Sequence, residues 1–131
     1  MLDACAVIAW AFREEGASLD ALITKVTEES AVVPAHWLLE VVNALLMGER
    51  CGRIKPGQRE EILAHIIQLP IRVDEETSLR GWREIPELAV RHGLTAYDAA
   101  YLELALRLDV PLATLDQDLA RAARTAKVRL F

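Results

Sequence analysis

The sequence contains little of what several common classes of protein require. Its two cysteines, Cys5 and Cys51, are too few and too far apart for a disulfide framework or a cysteine-based metal site. We therefore predict two reduced thiols. No apolar run approaches the ~20 residues of a membrane-spanning helix, and no signal peptide is evident. These absences favour a cytoplasmic protein with no membrane attachment.

Positive charge, glycine-rich loops and paired histidines are also scarce. The net charge of −5 argues against nucleic-acid binding through a uniformly basic surface. The sequence has no glycine-rich phosphate loop and no GxGxxG motif. His36, His65 and His92 are scattered without ligand spacing, and no Ser-His-Asp or Cys-His arrangement accompanies them. The pattern therefore does not indicate catalysis by an activated serine or cysteine.

The sequence is instead rich in aliphatic residues, which occur in short segments. Of the 131 residues, 53% are hydrophobic and only 5% aromatic, which is enough apolar material for a single domain over residues 1–131. Short apolar strands alternate with helical patterns, which predicts a three-layer α/β/α sandwich around a short parallel sheet. Ligands in such folds bind beyond the carboxyl ends of the strands.

The predicted elements follow the chain in this alternating order. Strands are expected at 1–3, 31–33, 71–73, 112–115 and 128–131. Helices are expected at 7–13, after Ser18, at 37–50, from Lys55 onward, and at 77–92, 95–108 and 119–125. Gly16 is expected to end the first helix, and Pro86 to kink or divide the helix at 77–92.

Four acidic residues stand in otherwise apolar segments: Asp3, Glu40, Asp98 and Asp116. Asp3 and Asp116 each follow a predicted strand, at the edge of the sheet where ligands bind. Four carboxylates brought together there would repel one another and raise one another's pKa values, a cost that divalent cations remove. Carboxylate oxygens suit Mg²⁺ or Mn²⁺, which also accept phosphate oxygens. The chemistry that needs such a cluster is phosphodiester hydrolysis.

Three of these positions have a structural alternative, which is helix capping for Asp98 and Asp116. Thr95 is a good N-cap, and Asp98 three residues later completes the pattern of a capping box. Asp116 or Asp118 could cap the helix after the fourth strand. Thr114 offers a hydroxyl at the same end of that strand. Asp3, so near the chain start, could simply be solvated.

The surroundings of Glu40 predict a buried carboxylate that needs a partner. Its neighbours within 37–42 are apolar on nearly every side. Asn43 lies one turn further along the same helix face and could hold the carboxylate or a water. The structural alternative is an ion pair between Glu40 and Arg80 or Arg83.

A phosphatase or receiver-type α/β domain is a third hypothesis, with Asp74 as phosphoacceptor after the strand at 71–73. The acidic run at 74–76 is more typical of a solvated turn that starts a helix. The early Asp-x-Asp of such phosphatases is absent, because Ala4 and Cys5 follow Asp3.

Segments 2–10, 40–45, 94–102 and 113–119 resemble, in the same order, the motifs of the PIN-domain family, in particular the VapC-type toxins of bacterial and archaeal toxin–antitoxin pairs. Each motif alone is weak, but the ordered set covers essentially the whole chain and is specific. The resemblance implies a metal-dependent endoribonuclease that cleaves single-stranded or loop RNA. It implies Mg²⁺ or Mn²⁺ bound by Asp3, Glu40, Asp98 and Asp116, with support from Asn43 and Thr114 and with Asp118 as an additional or substitute ligand.

The resemblance also implies two protein partners. One is a second copy of the chain in a homodimer, and the other is a VapB-like antitoxin whose tail occupies a groove beside the site. Candidate groove residues by position are Trp10, Phe12, Trp37 and Leu38, each of which suits an ordinary core position at least equally well.

Two features depart from the family pattern. Only Met1 and Leu2 precede the first acid, and Cys5 stands where the family usually has Ser or Thr, whose hydroxyl supports that acid. These departures motivate an alternative function, a catalytically weakened PIN-like module used for binding or regulation.

Overall fold

The structure is a computed structural model that describes residues 1–13 and 17–131. Its helices are α1 (Ala4–Ala11), α2 (Ala17–Glu29), α3 (Trp37–Arg50), α4 (Gln58–Ile67), α5 (Thr77–Arg80), α6 (Glu84–His92), α7 (Ala96–Leu108) and α8 (Gln117–Thr125). Its strands are β1 (Ala31–Val33) and β2 (Ile71–Val73).

The sheet is short and parallel. β1 pairs with β2 in the register Ala31 to Ile71. On the other side of β1, the amide of Leu2 donates to the carbonyl of Val32 at 3.3 Å. Single parallel bridges then join Leu2 to Ala113 and Leu112 to Leu130. The strand order is therefore β2, β1, the chain start, the segment at 112–113 and the segment at 130, as the predicted α/β class requires.

The predicted strand at 112–115 is shorter than expected, because backbone groups at its end bond to side chains. The amide of Leu115 donates to Cys5 Sγ at 3.2 Å, and the amide of Asp116 donates to Thr114 Oγ1 at 3.0 Å. Those amides are then unavailable to a neighbouring strand. The predicted strand at 112–115 is therefore reduced to bridges at 112 and 113, and the predicted strands at 1–3 and 128–131 are likewise reduced to bridges at Leu2 and Leu130.

Helices cover this sheet and enclose an aliphatic core. α1 packs against α2 and α3, and α7 packs against α6 and α8. α7 is buried without interruption from Ala99 to Ala105. No helix in the described part of the chain is both long and apolar enough to cross a membrane.

Several helix boundaries differ from the predictions. α2 begins at Ala17 instead of after Ser18, and α8 begins at Gln117 instead of at 119. α1 begins at Ala4 because the Asp3 side chain caps it. α4 begins at Gln58, after Gly57 with φ +89°, instead of at Lys55. The break within 77–92 falls at 81–83, and Pro86 lies in the first turn of α6, where a missing amide costs little. The predicted helix end at Gly16 lies outside the described residues.

An internal ion pair follows β2 at Asp74. This residue is only 4% exposed, and its carboxylate accepts hydrogen bonds from Arg107 at 2.8 Å and from the Thr77 hydroxyl at 2.9 Å. Arg107 also donates to Glu103 at 2.9 Å. The predicted solvated turn is therefore wrong for Asp74, and its engagement in this pair leaves the phosphoacceptor hypothesis without support.

Candidate active site

Asp3 lies at the end of the first extended segment and caps α1. Its Oδ1 accepts from the Cys5 amide at 3.2 Å, and its Oδ2 accepts from Cys5 Sγ at 2.8 Å and from Thr114 Oγ1 at 2.5 Å. Burial raises the pKa of Asp3, and these hydrogen bonds offset only part of that rise. The charge of Asp98 raises it further. Asp3 is thus a fixed, buried carboxylate with a second carboxylate nearby.

Cys5 occupies the position where a hydroxyl was expected. Its thiol donates to Asp3, and burial together with the negative charge of Asp3 raises the pKa of Cys5 to about 12. The side chain therefore remains a protonated thiol at neutral pH and keeps its donor. Both Cys5 and Cys51 are free, as predicted.

Glu40 faces the same region from the first turn of α3. Its Oε2 accepts a hydrogen bond from the Tyr101 hydroxyl and lies 3.6 Å from His36 Nε2. Burial raises the pKa of Glu40; the Tyr101 hydrogen bond opposes this, and the charges of Asp3 and Asp98 add to it. Glu40 is therefore close enough to both acids to be repelled by them.

Two expectations about Glu40 are corrected. Arg80 pairs with Glu76 and Glu84, and Arg83 pairs with Glu87, so neither arginine partners Glu40. The helix is also less buried than its apolar sequence predicts. On it, Leu38 is 50% exposed, Leu39 is 72% exposed and the Glu40 side chain is 32% exposed.

Asp98 lies at the N-terminus of α7, as the capping pattern predicts. Its amide donates to Thr95 Oγ1 at 3.1 Å, and that hydroxyl donates to Asp98 Oδ2 at 2.7 Å. Three of the four predicted acids, Asp3, Glu40 and Asp98, are therefore close together. Within residues 1–13 and 17–131 no Lys or Arg forms an ion pair with any of the three.

Of the other predicted polar residues, Thr114 bonds directly to Asp3, whereas Asp116, Asp118 and Asn43 form no hydrogen bond or ion pair with the trio within the described residues. Asp116 is exposed and caps α8, accepting from the Leu119 amide at 2.7 Å. It is connected to Asp3 only through Thr114. Asp118 forms an exposed ion pair with Arg121. Asn43 is exposed on α3. The ligand roles of Asp116 and Asp118 and the supporting role of Asn43 remain predictions.

Two residues at the site were not anticipated. His36 is not remote, because its ring lies 5.3 Å from the Tyr97 ring and 5.4 Å from the Tyr101 ring, and its buried Nε2 has no hydrogen-bond partner. Tyr101 contacts Glu40 directly. Helical spacing was the available signal, since His36 precedes Glu40 by four residues and Tyr101 follows Asp98 by three.

The groove candidates differ in exposure. Trp37 is only 4% exposed and belongs to the core, so the core alternative holds for it. Trp10 and Phe12 are half-buried against the core. The Phe12 ring lies on Gly48 of α3, where an added Cβ would come within 2.7 Å of it. Leu38 is the one candidate of the four that is substantially exposed.

The chemistry of the trio fits a hard divalent cation. Its donors are carboxylate oxygens, and within the described residues none of the three is paired with Lys or Arg. No set of three His, Cys, Asp or Glu side chains in the described part of the chain is spaced to hold a metal ion as it stands. Mg²⁺ commonly keeps several waters and uses only one or two carboxylates, so a complete protein cage is not required.

Comparison with known proteins identifies the family. The family model of the PIN domain matches residues 1–125. The chain belongs to the PIN-domain family. It is similar to Ribonuclease VapC3 of Pyrobaculum aerophilum, with 31% identity over 81 residues, which are 62% of this chain and 62% of that protein. The match thus spans less than two thirds of that relative's length.

A solved structure supports the same family fold. The crystal structure of PAE2754 from Pyrobaculum aerophilum superposes with a TM-score of 0.69 at 26% identity, covering 92% of this chain and 82% of that one. The resemblance to VapC-type PIN domains and the PIN-like α/β/α class predicted from the sequence are both confirmed.

Proposed function

We propose that this PIN domain is a metal-dependent endoribonuclease of the VapC type that hydrolyses RNA phosphodiester bonds. The observation that carries the proposal is the trio of Asp3, Glu40 and Asp98, whose carboxylates repel one another and are not paired with Lys or Arg in the described residues. Asp116, at the rim of the trio, is the fourth proposed ligand.

Each residue of the trio contributes something different to binding Mg²⁺ or Mn²⁺. Such an ion, when bound, supplies an activated water and stabilises negative charge on the phosphate. Asp3 is held in place by the hydrogen bonds from Cys5 and Thr114, so its oxygens are preorganised. Glu40 is partly exposed and so accessible from solvent. Asp98 lies in the first turn of α7, where the Thr95 hydroxyl bonds to its Oδ2.

The proposed substrate and partners derive from the family and from one surface feature. The relative is named a ribonuclease, so the proposal includes RNA as the substrate and the cytoplasm as the location. The exposed leucines of α3, Leu38 and Leu39, border Glu40 and supply apolar surface for a VapB-like antitoxin. Homodimer formation is the remaining part of the proposal.

The alternative, a PIN-like binding or regulatory module with weakened catalysis, is favoured by one observation. The carboxylate of Asp116 is engaged in capping α8, and no interaction between it and the trio is seen among the described residues. Calorimetric titration with Mn²⁺ separates the two functions, because a module without a metal site shows no binding that depends on Asp3, Glu40 and Asp98.

Cleavage of single-stranded RNA with Mn²⁺ present tests the leading proposal. Asp98→Asn should abolish most cleavage while leaving the fold intact. Asp109→Asn is a matched control, because Asp109 lies at the other end of α7 in a left-handed conformation that Asn adopts readily. Cleavage by Asp98→Asn at the wild-type rate, or cleavage in excess chelator, would contradict the proposal.

A further inference from the structure

Tyr101 lies where three segments of the site meet. Its hydroxyl donates to Glu40 Oε2 on α3 and accepts from the Ala4 amide at 3.4 Å, in the first turn of α1. Ala4 directly follows Asp3. Asp98 is on the same helix as Tyr101, three residues earlier. A single side chain is therefore connected to the segments that carry all three acids.

Packing in the hydrophobic core requires the ring of Tyr101 but not its hydroxyl. The ring is 1% exposed and belongs to the main hydrophobic cluster, which a phenylalanine ring would fill equally well. A buried hydroxyl needs partners of its own, so it adds a requirement without adding apolar contact. Both partners of this hydroxyl are site elements, one a carboxylate and the other a backbone amide beside a carboxylate.

Glu40 depends on this contact for its position. Its other polar neighbour, His36 Nε2, is 3.6 Å away, which is too long for a hydrogen bond. Among the described residues, the Tyr101 hydroxyl is therefore the donor that restrains the Glu40 side chain. Without it, a partly exposed glutamate on a helix surface would sample several rotamers.

We propose that Tyr101 is a positioning residue whose hydroxyl holds Glu40 against the start of α1, so that Glu40 and Asp3 are spaced to share one divalent cation. This inference depends on the proposed function, because it assigns the contact a role in binding the ion. It predicts that the hydroxyl affects metal affinity through Glu40 specifically.

Mn²⁺ affinity of Tyr101→Phe, measured by calorimetry, tests the inference directly. The substitution keeps the ring and removes the hydroxyl, and we expect affinity to weaken on the order of 10- to 100-fold, as is usual when a group that orients a metal ligand is lost. At limiting Mn²⁺, RNA cleavage should show a lower kcat with an unchanged KM for RNA. Tyr97→Phe is the matched control: this tyrosine is one turn earlier on α7, is 61% exposed, and should leave affinity unchanged.

A double-mutant cycle distinguishes positioning from general support of the fold. In a Glu40→Gln background the remaining carboxylates retain weak Mn²⁺ binding, which can be followed by the relaxation of water protons. If Tyr101 acts through Glu40, adding Tyr101→Phe to that background should change affinity by less than about twofold. An equal loss in both backgrounds would show a structural role and overturn the inference.

The outcomes also separate this inference from the proposed function. The inference alone is overturned if the wild type binds Mn²⁺ and Asp98→Asn loses cleavage, but Tyr101→Phe binds Mn²⁺ with unchanged affinity. Absence of both Mn²⁺ binding and cleavage in the wild type overturns both. Thermal unfolding of the metal-free variants confirms that each remains folded.

Discussion

The hydroxyl of Thr114 donates a 2.5 Å hydrogen bond to Oδ2 of Asp3 across 111 residues of sequence. The same oxygen of Thr114 accepts from the amide of Asp116 at 3.0 Å. One side chain therefore connects the most buried acid of the site with the turn that carries the fourth predicted ligand. This contact orients Asp3 and shapes the turn at once.

Thr114→Val should lower RNA cleavage by about tenfold, because valine keeps the shape of threonine but removes the hydroxyl that orients Asp3. The change also removes a hydrogen bond that lowers the pKa of Asp3. Cleavage rates at limiting Mn²⁺ measure the effect. Thr125→Val is the control, since this exposed hydroxyl bonds only to the carbonyl of Arg121 in its own helix. Equal rates for the two variants would show that Thr114 does not orient Asp3.

Glu40→Gln should stabilise the metal-free protein while reducing its activity. At pH 7 we expect the free energy of unfolding of the metal-free protein to rise, because the neutral amide avoids the cost that burial and the charges of Asp3 and Asp98 impose on the Glu40 carboxylate. Tyr101 can still donate to the glutamine oxygen. Urea unfolding in the presence of chelator measures the change. A clear loss of stability would instead identify Glu40 as a structural anchor.

The stabilisation by Glu40→Gln should decrease as the pH falls. Because the pKa of Glu40 is raised in the folded state, its ionised form destabilises the fold above that pKa. The penalty disappears as the pH falls through the raised value toward the ordinary value of about 4.3. The advantage of Glu40→Gln should therefore be largest near pH 7 and absent by about pH 4.

Arg107→Met should destabilise the protein by about 2 kcal/mol at pH 7, because it leaves the buried carboxylate of Asp74 without its ion pair. The value lies below the ~3–5 kcal/mol of a fully buried pair, since the Arg107 side chain is 18% exposed. Burial raises the pKa of Asp74, but hydrogen bonds from Arg107 and Thr77 outweigh it and lower the pKa overall. The pair thus stabilises the fold above the ordinary pKa of about 3.9.

Urea unfolding at several pH values measures this effect. The difference between wild type and Arg107→Met should shrink as the pH falls through the lowered pKa of Asp74. Arg83→Met is the control, because Arg83 is 82% exposed and its pair with Glu87 should contribute nothing measurable. A difference that is independent of pH would mean that Arg107 stabilises by packing alone.

Local signals explain which elements could be predicted. α3 and β1 have the predicted bounds because Pro34 ends the strand and the helical pattern is long and uninterrupted. α7 begins just after Thr95, whose capping contact with Asp98 is encoded within four residues. The early end of the strand at 112–115 was not predictable, because backbone amides there bond to Cys5 and Thr114, and such contacts form only in the folded chain.

The same distinction applies to the site. The residue types predict a cation site, since carboxylates in apolar segments need a cation or a partner, and the charge of Asp98 does act on both Asp3 and Glu40. The arginine partner that the structural alternative predicted for Glu40 was wrong, because the hydrogen-bond partner of Glu40 is Tyr101. That contact joins residues 61 positions apart, and no pattern in one sequence specifies it.

An anomalous diffraction map from crystals soaked in Mn²⁺ tests the central claim most directly. The account predicts a manganese peak about 2.1 Å from carboxylate oxygens of at least two of Asp3, Glu40 and Asp98. No peak at these residues, at a Mn²⁺ concentration that supports full activity, would contradict it.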